Sequence, residues 1–251
     1  MQKITTSIQV LDRATTLLDS LAQYDAAVSL KILAADAGLH PSTAFRILAS
    51  LTAHGLVGRD PAGQYHLGIR LLSWGGRVRS RIDLRGEARP VMEWLRDQIG
   101  ETVNLTIREG DNVVYVERVI AKRAMRVEQV IGSRAPLHVT AVGKLMLGDL
   151  GEEAIHAYAG RTGLPEYTQN TLTDEVSLLR EIKCALLDGY AFDNEEAELG
   201  VGCIGVVIRD SMEAVVAGLS ISAPIERWQQ QWVDLVKEAG ERISQRLGYA
   251  C

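Results

Sequence analysis

Four side chains near the N-terminus have the chemistry to hold a nucleic-acid backbone. Ser42, Thr43 and Arg46 stand just after Pro41, where a helical pattern begins, and Arg59 lies in a short segment beyond it. Hydroxyls at a helix start and guanidinium groups donate to phosphate oxygens and to base edges. Each has a plainer reading as well. Ser42 also suits a helix cap, which is compatible with a phosphate contact, and Arg46 and Arg59 also suit a solvated surface. Elsewhere, Cys203 and His138 are the combination that would suggest a nucleophile with its base. Nothing in the sequence brings them together or marks the thiol as acidic. GxSxG, Walker and HExxH patterns are absent, and Cys184, Cys203 and Cys251 form no CxxC pair. The expectation is a protein that binds rather than one that breaks bonds, with no metal, disulfide framework or cofactor.

Charge is divided along the chain. The whole carries a net charge of -5, yet residues 1–80 hold eight Lys/Arg against five Asp/Glu, and residues 81–251 hold nineteen against twenty-seven. A mildly basic head on an acidic body fits nucleic-acid binding by the head alone. With 47% apolar residues the chain can bury sizeable cores. No apolar run is long enough for a membrane span, and no secretory signal opens the chain. The expected location is therefore cytoplasmic.

The elements that must position the head residues are short helices. Ile8, Leu11, Ala14, Leu17, Leu18 and Leu21 form one apolar helical face, with Ser7 as a candidate cap. A second helix is expected over Ser29–Ala37, a turn at Gly38, and a third helix from Ser42 or Thr43 to His54-Gly55, with Ala44, Ile47, Leu48 and Leu51 inward. Two short helices joined by a glycine turn make a helix-turn-helix. Its second helix enters the major groove. Leu56–Arg59, the turn Asp60-Pro61-Ala62-Gly63 and Gln64–Leu67 add a β-wing. The same fold also serves protein contacts, which is the alternative from another functional class.

Residues 1–68 are thus expected to be a winged helix-turn-helix domain, 69–82 a linker helix loosened at Gly75-Gly76, and 83–251 a second domain. That domain opens on a helix over Leu84–Ile99 containing Pro90. Thr102–Ile107 alternates as a half-buried strand does. Val113–Val119 and Met125–Val130 read as further strands, Leu145–Leu150, Glu152–Tyr158 and Asp174–Asp188 as helices. Gly202–Ile208 and Ala214–Ile221 read as a hairpin, and Gln229–Leu247 as a terminal helix. The order is α/β and is not that of a doubly wound nucleotide-binding sheet, and no GxGxxG fingerprint is expected. A GAF-like sensor fits it.

Four stretches, in order, carry a resemblance. They are Ile8–Ala14 with Ser42–Leu48 and Tyr65–Gly68; Gly132–Lys144; Gly189–Glu196 with Gly200–Gly205; and Leu219–Pro224. Over almost its full length the chain resembles the IclR family of transcriptional regulators. The resemblance implies a winged-helix head, a GAF-like effector domain, and homodimers or dimers of dimers on palindromic double-stranded operators, with no membrane association. It implies small organic acids or aromatic catabolites as effectors. It also implies effector contacts at Ala141, Asp193, Cys203, Ser220 and Ser222, with a pocket wall at Ala124. Ala141 departs from the glycine frequent in acid-binding relatives; its N–H survives and its methyl narrows the site. A small Ala124 enlarges the other side, favouring a bulkier ligand.

The residues agree with this. Ser220 and Ser222 share one strand face by the period of two. Cys203, on an adjacent strand, is a small, weakly polar neighbour. Hydroxyls and backbone N–H groups receive a carboxylate without a buried ion pair. Asp193 beside such an anion repels it unless one of the two is protonated or the pair is bridged. Either it accepts from a ligand hydroxyl or it serves its own turn. Cys203 also suits a plain core thiol, the two serines also suit strand residues bonded to backbone, and His138 reads as structural.

Overall fold

The computed structural model describes residues 8–79 and 82–250. The chain divides into two compact units, Met1–Ile82 and Asp83–Cys251.

The first unit runs α1 (Gln9–Ala22), α2 (Leu30–Asp36), α3 (Pro41–Ala53), β1 (Val57–Arg59), β2 (Tyr65–Leu67) and α4 (Arg70–Arg79). Ser29 caps α2 by accepting the Ile32 N–H, and Gly38 takes φ +61° in the turn to α3. The expected start of α3 at Ser42 or Thr43 moves to Pro41, with His40 as its cap. Proline suits a first helical position because its missing N–H would have no helical partner there. At the other end Leu56 N–H reaches Leu51 O and Gly55 N–H reaches Thr52 O, the paired bonds of a glycine-terminated helix. Leu17, Leu33, Ala44, Leu48, Val57 and Tyr65 form the core. From Ala14 onward α1 meets that core. Ile8 and Leu11, expected on its inward face, are exposed. The cap expected at Ser7 lies outside the described residues. The expected linker helix forms as α4 and runs on through Gly75-Gly76.

The second unit builds one sheet. Its elements are α5 (Leu84–Ile99), β3 (Thr102–Glu109), β4 (Asn112–Val119), β5 (Arg134–Pro136), α6 (Ala141–Asp149), α7 (Glu152–Thr162), α8 (Glu175–Asp188), β6 (Ala191–Asn194), β7 (Val201–Arg209), β8 (Val215–Pro224) and α9 (Trp232–Arg246). The strand order is β5-β4-β3-β8-β7-β6, and every neighbouring pair is antiparallel. α5 and α9 cover one face, and α6 covers the other, backed by α7 and α8. This is the winged helix-turn-helix followed by the GAF-like α/β domain that the sequence led one to expect.

Three details differ. β3 is buried on both faces along most of its length. Its polar alternates Thr102, Asn104 and Thr106 are buried, not solvated. No strand forms over Met125–Val130; the edge strand is β5. The intervening loop is held by charged side chains, with Arg123 and Arg227 on the buried Glu101 and Arg118 on Glu128. Its apolar residues Met125 and Val130 are exposed, so no alternating pattern finds a core. Finally, Gly200–Gly205 has GxGxxG spacing. It leads into and forms the start of strand β7 rather than opening a helix, so it is no dinucleotide fingerprint.

Two glycines set how closely α6 lies on the sheet. A Cβ on Gly205 would stand 2.6 Å from Val142 Cγ1 and 2.9 Å from the Val142 amide nitrogen. One on Gly218 would stand 2.7 Å from Val142 Cβ. Gly205→Ala should therefore cost about 1–3 kcal/mol in urea denaturation, as overpacking does. Gly75→Ala, where the new methyl meets nothing within 4 Å, should leave stability unchanged or raise it by roughly 0.5–1 kcal/mol.

Candidate functional site

The second unit holds a cavity of about 270 Å³ between the N-terminus of α6, the strands β6 and β7, and the start of β5. Ala141 and Val142 line its roof; Cys203, Ser220 and Asp193 line its floor; Tyr115, Gln129 and Arg134 line its side. The cross-strand register explains the floor. Ser220 lies opposite Gly205 and Asn104, and Ser222 lies opposite Cys203, which in turn lies opposite Asp193. Directly opposed residues share a face. One strip of the sheet is thus polar and small, and it faces α6.

No side chain caps the first turn of α6. The Thr140 hydroxyl turns away and donates to Pro136 O and Leu137 O. The first N–H groups of a helix have no partner within it, and they carry the positive end of its dipole. Here they stand above the polar strip, brought close by Gly205. Asn104 donates from Nδ2 to Ser222 Oγ at 3.1 Å, and Ser222 Oγ lies 3.2 Å from Cys203 Sγ. The buried Asn104 Oδ1 finds no hydrogen-bond partner among the described residues.

Behind the cavity stands Lys144, 0% exposed. Its ammonium donates to Phe192 O at 2.5 Å and Glu196 Oε1 at 2.7 Å, and reaches Glu181 Oε1 at 3.5 Å. Asp193 Oδ1 accepts the Glu196 N–H at 2.8 Å. Burial, with Glu196 nearby, raises Asp193 to about 7. Burial also pushes the Cys203 thiol well above its ordinary value, assisted by the Asp193 charge, and raises the Tyr115 phenol. A thiol held neutral is a weak nucleophile. His138 offers it no base. The imidazole is fully buried, with Nδ1 on Tyr158 Oη at 2.8 Å and Nε2 on Pro165 O at 3.1 Å. Burial lowers its pKa. No cluster of His, Cys, Asp or Glu able to hold a metal occurs among the described residues.

Of the sequence-derived effector residues, the structure brings Ala141, Asp193, Cys203 and Ser220 to the cavity. Ser222 is buried just behind Cys203, in contact with it and with Asn104. Ala124 is exposed in the loop before β5 and does not line the cavity, because the strand expected there does not form. The widening attributed to it is therefore absent. Tyr115, Gln129, Arg134 and Lys144 escaped sequence reasoning. A lysine inside the apolar run Ala141–Leu147 was the available signal.

In the first unit Ser42, Arg46 and Arg59 are exposed and Thr43 is half-buried. Ser42 is not the cap; its N–H reaches His40 Nδ1, which also lies 2.8 Å from its hydroxyl. Thr43, Arg46 and Ser50 line a groove with Val10, Leu11 and Arg13 of α1. Arg59 folds over the wing turn, donating from Nε to Gly63 O at 3.1 Å and stacking 5.3 Å above the Tyr65 ring.

Removing one partner of a buried ion pair leaves the other charge uncompensated. Lys144→Met should cost about 3–5 kcal/mol of stability. Lys144→Met with Glu196→Leu should recover part of it, measured by chemical denaturation of both variants and the unsubstituted chain.

The family described as "IclR helix-turn-helix domain" matches residues 10–61, and "Bacterial transcriptional regulator IclR C-terminal" matches residues 76–245. The chain is 34% identical to the HTH-type transcriptional repressor AllR of Escherichia coli K12, covering 96% of this chain and 90% of that one. The structure superposes on the Agobacterium tumefaciens repressor BlcR with a TM-score of 0.79 at 26% identity, covering 98% and 99% of the two chains. It also superposes on an IclR homolog from Microbacterium hydrocarbonoxydans complexed with 4-hydroxybenzoate, with a TM-score of 0.62 at 27% identity, covering 95% and 98%. With both domains matched in order, the chain belongs to the IclR family, a family of DNA-binding transcriptional regulators and not of enzymes.

Proposed function

We propose that this regulator binds a palindromic operator as a homodimer or dimer of dimers, and that a small organic acid in the cavity modulates that binding. The observation that carries the effector reading is the uncapped first turn of α6 above Ser220 and Cys203. N–H groups and hydroxyls converging on one space are suited to a carboxylate. A cavity of about 270 Å³ lies just below the range of roughly 300–1,000 Å³ typical of drug-sized ligands, which favours a small acid or a single-ring aromatic one. The homolog complexed with 4-hydroxybenzoate supports an aromatic acid. The names of AllR and BlcR support repression as the sign of control.

On the head, Ser42, Thr43 and Arg46 are the proposed contacts of α3 in the major groove, and Arg59 that of the wing. An effector changes operator affinity only if it binds one arrangement of the regulator better than another. That requirement is met when ligation of Ala141 and Asp193 favours one of two states.

The test is binding of the purified chain to its own upstream intergenic DNA, followed by fluorescence anisotropy with and without a panel of aliphatic and aromatic acids. Arg46→Ala should weaken operator binding about 10-fold or more, the loss expected of a base-reading arginine. It should leave acid binding intact. Ala141→Leu, which fills the roof of the cavity, should abolish the response to acid and leave operator affinity unchanged. Salt-insensitive or absent DNA binding would shift the head to the protein-contact reading.

A further inference from the structure

The charges around the cavity do not balance for an incoming anion. Asp193 is 3% exposed and lines the cavity. The nearest ammonium, Lys144, is already committed to Glu196 at 2.7 Å and to Phe192 O. Glu196 is itself buried, so one enclosed cation faces two enclosed carboxylates before any ligand arrives. Glu181, 44% exposed, adds a third acid at the edge. From β7 the facing group is the Cys203 thiol, and from β4 the Tyr115 phenol; burial keeps both neutral. At the rim Arg134 is exposed and ion-paired with Glu109, Tyr167 is exposed and uncharged, and Glu198 is acidic. No uncommitted cation lines the cavity among the described residues. A ligand carboxylate beside an ionised Asp193 would place two like charges together out of water, and such pairs do not both stay ionised.

We propose that the cavity takes a monocarboxylate only together with one proton, held on Asp193, which then donates a hydrogen bond to the bound acid. This rests on the effector reading above. The second carboxylate oxygen of the ligand is left to the N–H groups of α6 and the Ser220 hydroxyl. The proton comes from solvent and bonds to an Asp193 carboxylate oxygen, so anion and proton together leave the enclosed charge unchanged. Burial already brings Asp193 to about 7, so little is required to protonate it near neutrality. Below that pH the carboxyl is protonated in advance and binding takes up no proton. Above it, each anion bound takes up one, and Kd rises tenfold per pH unit.

The experiment is isothermal titration of the full chain with 4-hydroxybenzoate and with pyruvate between about pH 6 and pH 8.5, in buffers of different ionisation enthalpy. The expected result is one proton taken up per acid at the alkaline end, a tenfold loss of affinity per pH unit there, and a plateau at the acid end. Asp193→Asn keeps a neutral donor and the acceptor for the Glu196 N–H; its Kd should not vary with pH. A ligand-free arm follows the Asp193 carboxyl by carbon NMR, assigned against Asp193→Asn, and should show it titrating near neutrality. Acid binding with a flat Kd and no proton uptake overturns the inference and leaves the effector reading standing. So does an Asp193 that titrates in the ordinary carboxylate range. Failure of both acids to bind at about pH 6, where the carboxyl is protonated, removes the effector reading and the inference with it.

Discussion

The second unit is organised around one buried ammonium. Lys144 sits in the middle of α6, a helix whose residues from Ala141 to Gly148 are all buried. A lysine in such a place must find acceptors, and it finds the Phe192 carbonyl and Glu196. Both belong to β6 and the loop that follows it. The ammonium therefore pins that loop to the helix, and Asp193, lying between those two acceptors in sequence, is placed at the cavity as a consequence. A buried pair of this kind contributes little net stability compared with an apolar replacement. Its effect is positional, because it ties the β6 end and the following loop to α6.

The glycines complete what the lysine begins. Gly205 and Gly218 remove the side chains that would hold α6 off the sheet. The helix can then present the open end of its first turn to the polar strip below. Asn104, Ser222 and Cys203 are linked in a short chain of contacts beneath that strip. The result is a site rich in donors and poor in uncommitted cations. In the proposed reading such a site takes a small acid by shape and hydrogen bonding, with protonation of Asp193 as part of recognition. The same burial keeps the Cys203 thiol neutral, and His138 is held by Tyr158 and Pro165.

The head is built on a separate and simpler principle. A small core around Leu17, Leu33, Leu48 and Tyr65 holds three helices and the wing. The Val28–Tyr65 bridge ties the α1–α2 connection to β2. The exposed side of α3 and the wing arginine are consequently carried on a rigid base. That is what reading a groove requires, because base contacts tolerate little misplacement.

Much of this was legible in the sequence. Apolar spacing located α2, α3 and α5; Gly38 and the Asp60–Gly63 turn located the helix-turn-helix and its wing; the period of two put Ser220 and Ser222 on one face. These are local signals, set by backbone sterics and by which side of one element is apolar. The rest depended on neighbours. Alternation along β3 made Thr102, Asn104 and Thr106 look solvated, whereas α6 covers them. Apolar residues over Met125–Val130 looked like a strand, whereas no partner strand is available to them and Arg123, Arg227 and Glu101 hold the loop instead. Ala124 consequently left the pocket. Ile8 and Leu11 looked inward, whereas the core ends before it reaches them. The sequence by itself determined which elements form and what chemistry each one carries. Only the tertiary structure decided which polar groups are closed off from water and which charge answers which, because burial and pairing belong to the assembly of elements and not to any one of them.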